Sequence, residues 1–424
     1  MSKIKEILKS VTIPRMYCVQ REFQSKSCKN VEQSCVNQVL SLQRLNSIPL
    51  DSRIAVCVGS RGINQISKIV KGVVYALQSR GMKPIVIPAM GSHGGATAEG
   101  QKQILKGLGV TEQSVGCPVQ ATMEVVELAK LDNGLPVYMD SIAAKSDGIV
   151  VINRIKPHTA FRGRYESGLV KMLAIGLGNH IGAASCHRLG FGMMKENIVA
   201  MAKIKLEQCP VLFGVGVIED AYDQVSVVEV IDAEKILDRE PEMLVLAKRN
   251  MPFIGFDPID VLVVDRMGKE ISGDGMDTNI TGRYTTPYAS GGPTVSKLVV
   301  LSVTEKSHGN VIGIGAADIC TQQLYDVIDF EATYINGLTA TVCAAARIPM
   351  VFPTDEDAIR AAIITSNSPD LRSVRFVRIR DTLHLTELMI SESLLGEARK
   401  QEDVVAIEGP FDLTFNEVGA IKEM

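Results

Sequence analysis

Between residues 54 and 109, short apolar runs alternate with longer stretches of helical period, and no other feature constrains the fold as tightly. Ile54–Gly59 (IAVCVG) is short and β-branched, as a buried strand requires. Ile66–Arg80 carries apolar residues at helical spacing and stops at Gly81, a residue suited to a helix C-terminus. Lys83–Met90 (KPIVIPAM) is the next strand and Ala96–Gly109 the next helix, again stopped by Gly. Parallel strands need a crossover, and a helix supplies it, so this order predicts an open α/β sheet with parallel pairing. The pattern resumes with strands at Gly148–Asn153, Pro210–Ile218, Ile259–Asp265 and Val295–Thr304. Helices are expected over Lys195–Glu207 and, as one long element, over Ala317–Ala346.

A chain of 424 residues exceeds one ordinary core, so two domains are expected. Met267–Gly292 is rich in Gly, Asp and Thr and reads as a long loop at the crossing. Residues 1–268 then form a Rossmann-like open-sheet domain that binds a cofactor. Residues 269–424 form a smaller α/β domain that closes the site, which is expected in the cleft between the two. The tail from about residue 400 to 424 is expected to pack back on the first domain.

Charge and composition exclude several function classes. The net charge is −3 and no Lys/Arg block is present, which argues against nucleic-acid and membrane-surface partners. Trp is absent, so interleaved base stacking is not expected. The N-terminal segment lacks the apolar core of a signal peptide, and no continuous apolar run of about 18 residues occurs. Nine Cys without a CxxC pair fit neither a disulfide framework nor a Cys-based zinc site, and a cytoplasmic location is expected. Gly59-Ser-Arg-Gly62 does not fit GxGxxG, which sets aside a conventional NAD-dependent dehydrogenase.

Six His occur: His93, His158, His180, His187, His308 and His384. His93 stands in Gly91-Ser-His-Gly-Gly95 directly after a strand, and His158 ends Asn153-Arg-Ile-Lys-Pro-His158 after another. Open α/β sheets bind ligands at the carboxyl ends of their strands, so both imidazoles are candidates for acid/base work; each could equally be a solvated turn residue. Arg61, after the first strand, could fork a carboxylate or phosphate. Lys171 is the only cation in a long apolar and Gly-rich run, where it is either a desolvated nucleophile or a lysine that snorkels to water. His187 follows a run of small residues, and as a lone His it is either a metal ligand or a satisfied structural residue. Asp277, Asn279, Thr281 and Arg283 cluster in the long loop and either reach a site or shape a turn.

Taken together, GSHGGATAEGQ, INRIKPHTAFRG, ESGLVKMLAIGLG and ISGDGMDTNITGR resemble the lactate racemase superfamily, the nickel-pincer nucleotide enzymes, over roughly Val56 to Arg283. The resemblance implies a pyridinium-3,5-bisthiocarboxylic acid mononucleotide attached to Lys171 through a thioamide. Its nickel is held by two sulfurs, a ring carbon and His187. His93 and His158 match the acid/base pair and Arg61 the carboxylate-binding Arg. Ser60, Gly94 and Gly95 are expected along the cofactor, and Asn279, Thr281 and Arg283 along the substrate. The implied activity is a racemase or epimerase that inverts C2 of a 2-hydroxy acid. The stretch from His158 to Lys171 is longer than in lactate-specific members, which argues against lactate itself. Two alternatives stay open: the same cofactor acting on another substrate type, and a carrier of nickel or the nucleotide, which would need Lys171 and His187 but neither His93 nor His158. Implied partners are the substrate, the proteins that make the cofactor, and further copies of the chain if it is a homo-oligomer.

Overall fold

A computed structural model describes residues 2–60 and 62–422, which fall into two compact units. One is the contiguous stretch Ser25–Met251; the other joins Met1–Gln24 to Pro252–Met424. The division lies some way before the expected boundary at 268, because Ile259–Met267 is an interior strand of the second unit. The first 24 residues also belong to that second unit, through strand β1 (Met16–Arg21).

In the contiguous unit, β2 (Arg53–Val58), β3 (Lys83–Pro88), β6 (Gly148–Arg154), β7 (Val211–Glu219) and β8 (Val225–Asp232) form a sheet in the order β3-β2-β6-β7-β8. All pairings are parallel except β7 with β8. Helices Ile66–Ser79, Ala98–Gly107 and Met194–Gln208 form within a residue or two of their sequence-based positions. A hairpin, β4 (Val125–Lys130) with β5 (Pro136–Asp140), and the edge strand β8 were not legible in the apolar pattern.

Strand β7 shows how both faces of this sheet are filled. Phe213, Val215 and Val217 point into one core with Ile69, Val73 and Leu77 of helix Ile66–Ser79. The alternate residues are Gly214 and Gly216. A Cβ on Gly214 would fall 2.6 Å from Leu169 and one on Gly216 2.9 Å from Met243. The two glycines therefore let helices Leu169–Ala174 and Ile236–Asn250 lie close on the opposite face. Leu169–His187 is apolar and long enough to cross a membrane by length and composition, yet 78% of it is buried inside this fold. The turn Gly176–Gly178 also interrupts it. It is a core segment.

The second unit is an eight-stranded sheet. It contains β1, β9 (Ile259–Met267), β10 (Val295–Val303), β11 (Ile319–Thr321), β12 (Met350–Phe352), β13 (Phe376–Ile379), β14 (Glu387–Ser391) and β15 (Val404–Phe411). The order is β12-β11-β10-β9-β13-β14-β1-β15, with β12 to β13 parallel and the rest antiparallel. The single helix expected over Ala317–Ala346 is instead β11, helix Gln322–Asp326, helix Phe330–Ala340 and a short turn at Cys343–Ala346. Ile319 and Cys320 are drawn into the sheet beside β10, and Asp329 caps a new helix by accepting the Ala332 N–H. The tail pairs, through β15, with β1 within this unit.

Candidate active site

Strands β2, β3 and β6 run parallel, so the segments leaving them emerge along one edge. Ser60 follows β2, His93 follows β3 and His158 follows β6. The Ser60 hydroxyl hydrogen-bonds His93 Nδ1. A hydroxyl can donate or accept, so the His93 ring can carry its proton on either nitrogen. Fully buried Gln101 steadies this turn from helix Ala98–Gly107, its Nε2 donating to Gly91 O at 3.0 Å. Gly94 is required at its position. Its φ is +67°, and a Cβ would lie 2.6 Å from the backbone of Gly100 and Gln101.

The loop that carries His158 is closed at its base by a two-bond bridge between Lys156 and Ser167. Buried Glu166 accepts the His158 backbone N–H at 2.8 Å and is itself held by Lys248 at 2.7 Å. Phe161 and Phe191 flank the ring at centroid distances of 4.5 and 5.9 Å. Beyond Ser167 the chain turns directly into helix Leu169–Ala174, and this return brings Lys171 Nζ within 2.6 Å of His158 Nε2.

The proton on that imidazole is constrained. Ala160 N–H donates to His158 Nδ1 at 3.0 Å, which leaves the ring proton of a neutral imidazole on Nε2. Burial holds the His158 imidazole well below its ordinary range, so it is neutral. A neutral ring with Nε2–H facing Lys171 needs an acceptor there, and only the free-base amine provides one. A free-base amine is a nucleophile.

His187 closes helix Asn179–His187, sixteen residues after Lys171. Its Nδ1–H donates to Ala183 O at 2.8 Å, so Nε2 keeps a lone pair. Burial holds this imidazole below its usual range, and a neutral ring fixed by a backbone carbonyl is the form that binds a metal. Its ring meets Phe191 edge-on at 5.7 Å, so His187 and His158 share one aromatic neighbour. Among the described residues, no group of three or more His, Cys, Asp or Glu side chains is placed to hold a metal. A metal at His187 would therefore take its other ligands from a bound molecule. An amine nucleophile beside a single metal-ready imidazole fits a covalently attached, metal-bearing cofactor.

Arg61 lies outside the described residues. Gly95 is exposed, with open space where a Cβ would stand. Asn279, Thr281 and Arg283 belong to the second unit. There Asn279 and Asp277 form the start of the one-turn helix Thr278–Thr281, and Thr281 is buried. The Arg283 fork is bidentate on Asp318 at 2.8 and 2.9 Å, which is local structural work. Sequence reasoning missed Gln101, Glu166, Lys205 and Glu240, all buried and all bonded to the segments that carry His93, His158 and Lys171. Glu166 was visible at the head of ESGLVKM and Gln101 at the end of GSHGGATAEGQ; nothing marked Lys205 and Glu240.

Comparison with known proteins follows the same residues. Residues 21–198 match the lactate racemase N-terminal domain family, a span that includes His93, His158, Lys171 and His187. A solved structure of a protein from Thermotoga maritima is similar at 12% identity and a TM-score of 0.52, over 82% of this chain and 84% of that one. That likeness is one of fold. The lactate racemase apoprotein from Thermoanaerobacterium thermosaccharolyticum aligns at 14% identity and a TM-score of 0.45, over 86% of this chain and 88% of its own. Comparison with curated proteins finds no match. The likeness to the lactate racemase family thus rests on the N-terminal domain match over residues 21–198.

Proposed function

We propose that this chain is a racemase or epimerase that inverts C2 of a 2-hydroxy acid with a nickel-pincer nucleotide held on Lys171. One observation carries the reading: the 2.6 Å approach of Lys171 Nζ to a neutral, tautomer-fixed His158. That contact supports a nucleophilic Lys171 as the attachment point, and the Nε2 lone pair of His187 supports it as the nickel ligand. When bound, the cofactor supplies reversible hydride acceptance at C2. With its nitrogen holding the cofactor, Lys171 would no longer accept the His158 Nε2–H, and that N–H would be left to a substrate oxygen.

The two imidazoles then divide the proton work. His93 can present a bare nitrogen, because Ser60 serves its Nδ1 in either sense, and it accepts the hydroxyl proton of one enantiomer. His158 presents Nε2–H and steadies the oxygen. For the mirror-related hydroxyl the roles exchange, which requires the His158 ring to release Ala160 N–H. Arg61 is proposed to hold the carboxylate and so keep C2 between the two rings. The Phe161 and Phe191 rings beside His158 limit water at its face.

The test is to incubate cofactor-loaded protein in D2O with single enantiomers of a panel of 2-hydroxy acids, followed by chiral chromatography and mass analysis. Inversion of at least one acid without deuterium at C2 is expected, because a hydride keeps its original nucleus. Inversion with full deuterium uptake would overturn hydride transfer. No inversion of any acid would leave a carrier.

A further inference from the structure

Helix Leu169–Ala174 has six residues, and few of its backbone groups can find partners within so short an element. Both ends are instead served by ionisable side chains from neighbouring helices. At the N-terminus, Glu240 Oε2 accepts the Val170 N–H at 2.9 Å, and the Leu169 N–H also bonds this carboxyl. Gly168 makes room for it, since a Cβ there would fall 2.3 Å from Glu240 Oε1. At the C-terminus, Lys205 Nζ donates to Leu173 O at 2.7 Å and Ala174 O at 3.3 Å. Glu240 is 1% exposed and Lys205 0%.

Burying an ionisable group costs several kcal/mol, and an apolar side chain of similar volume often serves packing as well or better. Two such groups on one short helix call for a reason beyond packing. Their sense matches the helix dipole, acid at the start and amine at the end. The residue between them is Lys171.

We propose that Glu240 and Lys205 are positioning residues that clamp helix Leu169–Ala174 from both ends, so that Lys171 Nζ is held against His158 Nε2 as a free amine. The inference rests on Lys171 being the reactive amine of the proposed function. Without the clamp, the six-residue helix loosens, Nζ leaves the imidazole, and water restores the ammonium.

The experiment acylates the full-length chain with N-hydroxysuccinimidyl acetate at pH 7. Peptide mass spectrometry then compares Lys171 with exposed Lys106 in the same molecules. Wild-type Lys171 reacts faster, because acylation requires the free-base amine that the clamp maintains. Glu240→Leu and Lys205→Met, folded by circular dichroism, lower this preference by about tenfold or more, the effect of one pKa unit. Glu240→Gln and Lys205→Arg keep an acceptor and a donor respectively and retain the preference. That rescue separates positioning from mere packing. If Lys205→Met does not fold, Lys205→Leu, which also lacks a donor, takes its place. Folded Glu240→Leu and Lys205→Met proteins that keep the wild-type preference overturn the clamp, even where the wild type accepts the cofactor. A lost preference upholds the clamp even where the wild type takes no cofactor, a result that counts against the proposed function alone.

Discussion

At His158 the Ala160 N–H occupies one ring nitrogen and the Lys171 amine faces the other, whereas His187 donates one ring proton to Ala183 and keeps a lone pair. The two imidazoles thus present different ring nitrogens, and on the proposed function substitution should separate them. His187→Ala is expected to keep the mass adduct on Lys171 while losing most of its nickel, measured by intact-protein mass and metal analysis on one sample. Loss of the adduct with nickel retained would reverse the assignment. Glu240 gives a second prediction. Burial pushes its carboxyl up to about 7 from an ordinary 4.5. Between those values the folded chain holds more protons than the unfolded one, so this group's contribution to stability falls as pH rises. Lys205 is held down to about 7 by burial, so its contribution rises from pH 7 towards 10.5. Glu240→Gln should therefore gain stability relative to wild type between pH 5 and pH 8, by up to about 3 kcal/mol. Urea titrations at the two pH values check this, and a pH-independent difference would contradict it. His93, His158, Lys171 and His187 stand out in the sequence because each lies beside a strand end or in a run that isolates it. Lys205 and Glu240 do not, since only the packing of three helices reveals what they hold.

At the level of elements, strands and helices flanked by Gly were readable, because Gly81 and Gly109 end their helices in left-handed turns where sequence alone places them. The stretch Ala317–Ala346 was not. Its composition suits a helix throughout, but sheet pairing claims Ile319–Thr321 and an Asp cap restarts the helix at Phe330. Pairing with a distant strand overrides local preference there. The Gly94 turn is the element on which His93 depends. Gly94→Ala must place a methyl against the Gly100 and Gln101 backbone at positive φ. It should cost roughly 1–3 kcal/mol and slow turnover by displacing His93, measured by thermal unfolding and by kcat. Unchanged stability would mean that the turn adapts.

Over the whole molecule, the two units make different demands on the chain. Ser25–Met251 is continuous and has its own core beneath β2, β6 and β7, so that fragment should fold alone with a cooperative unfolding transition. The other unit needs both termini, because β1 lies between β14 and β15 in its sheet. Removing residues 1–24 should leave two strands without their shared neighbour and lower the stability of that unit while sparing the first. Differential scanning calorimetry of the truncated chain should show one transition moved and one kept; two unmoved transitions would contradict the sheet order. The boundary at 251 was not legible because no composition change marks it. The Gly-rich stretch that suggested 268 is a loop inside the second unit, following β9. The most direct test of the central claim is the intact mass and nickel content of the chain made in a host that synthesises the nucleotide. A mass increase with stoichiometric nickel, absent in Lys171→Ala, is the predicted result. An unmodified, nickel-free chain in that host would contradict it.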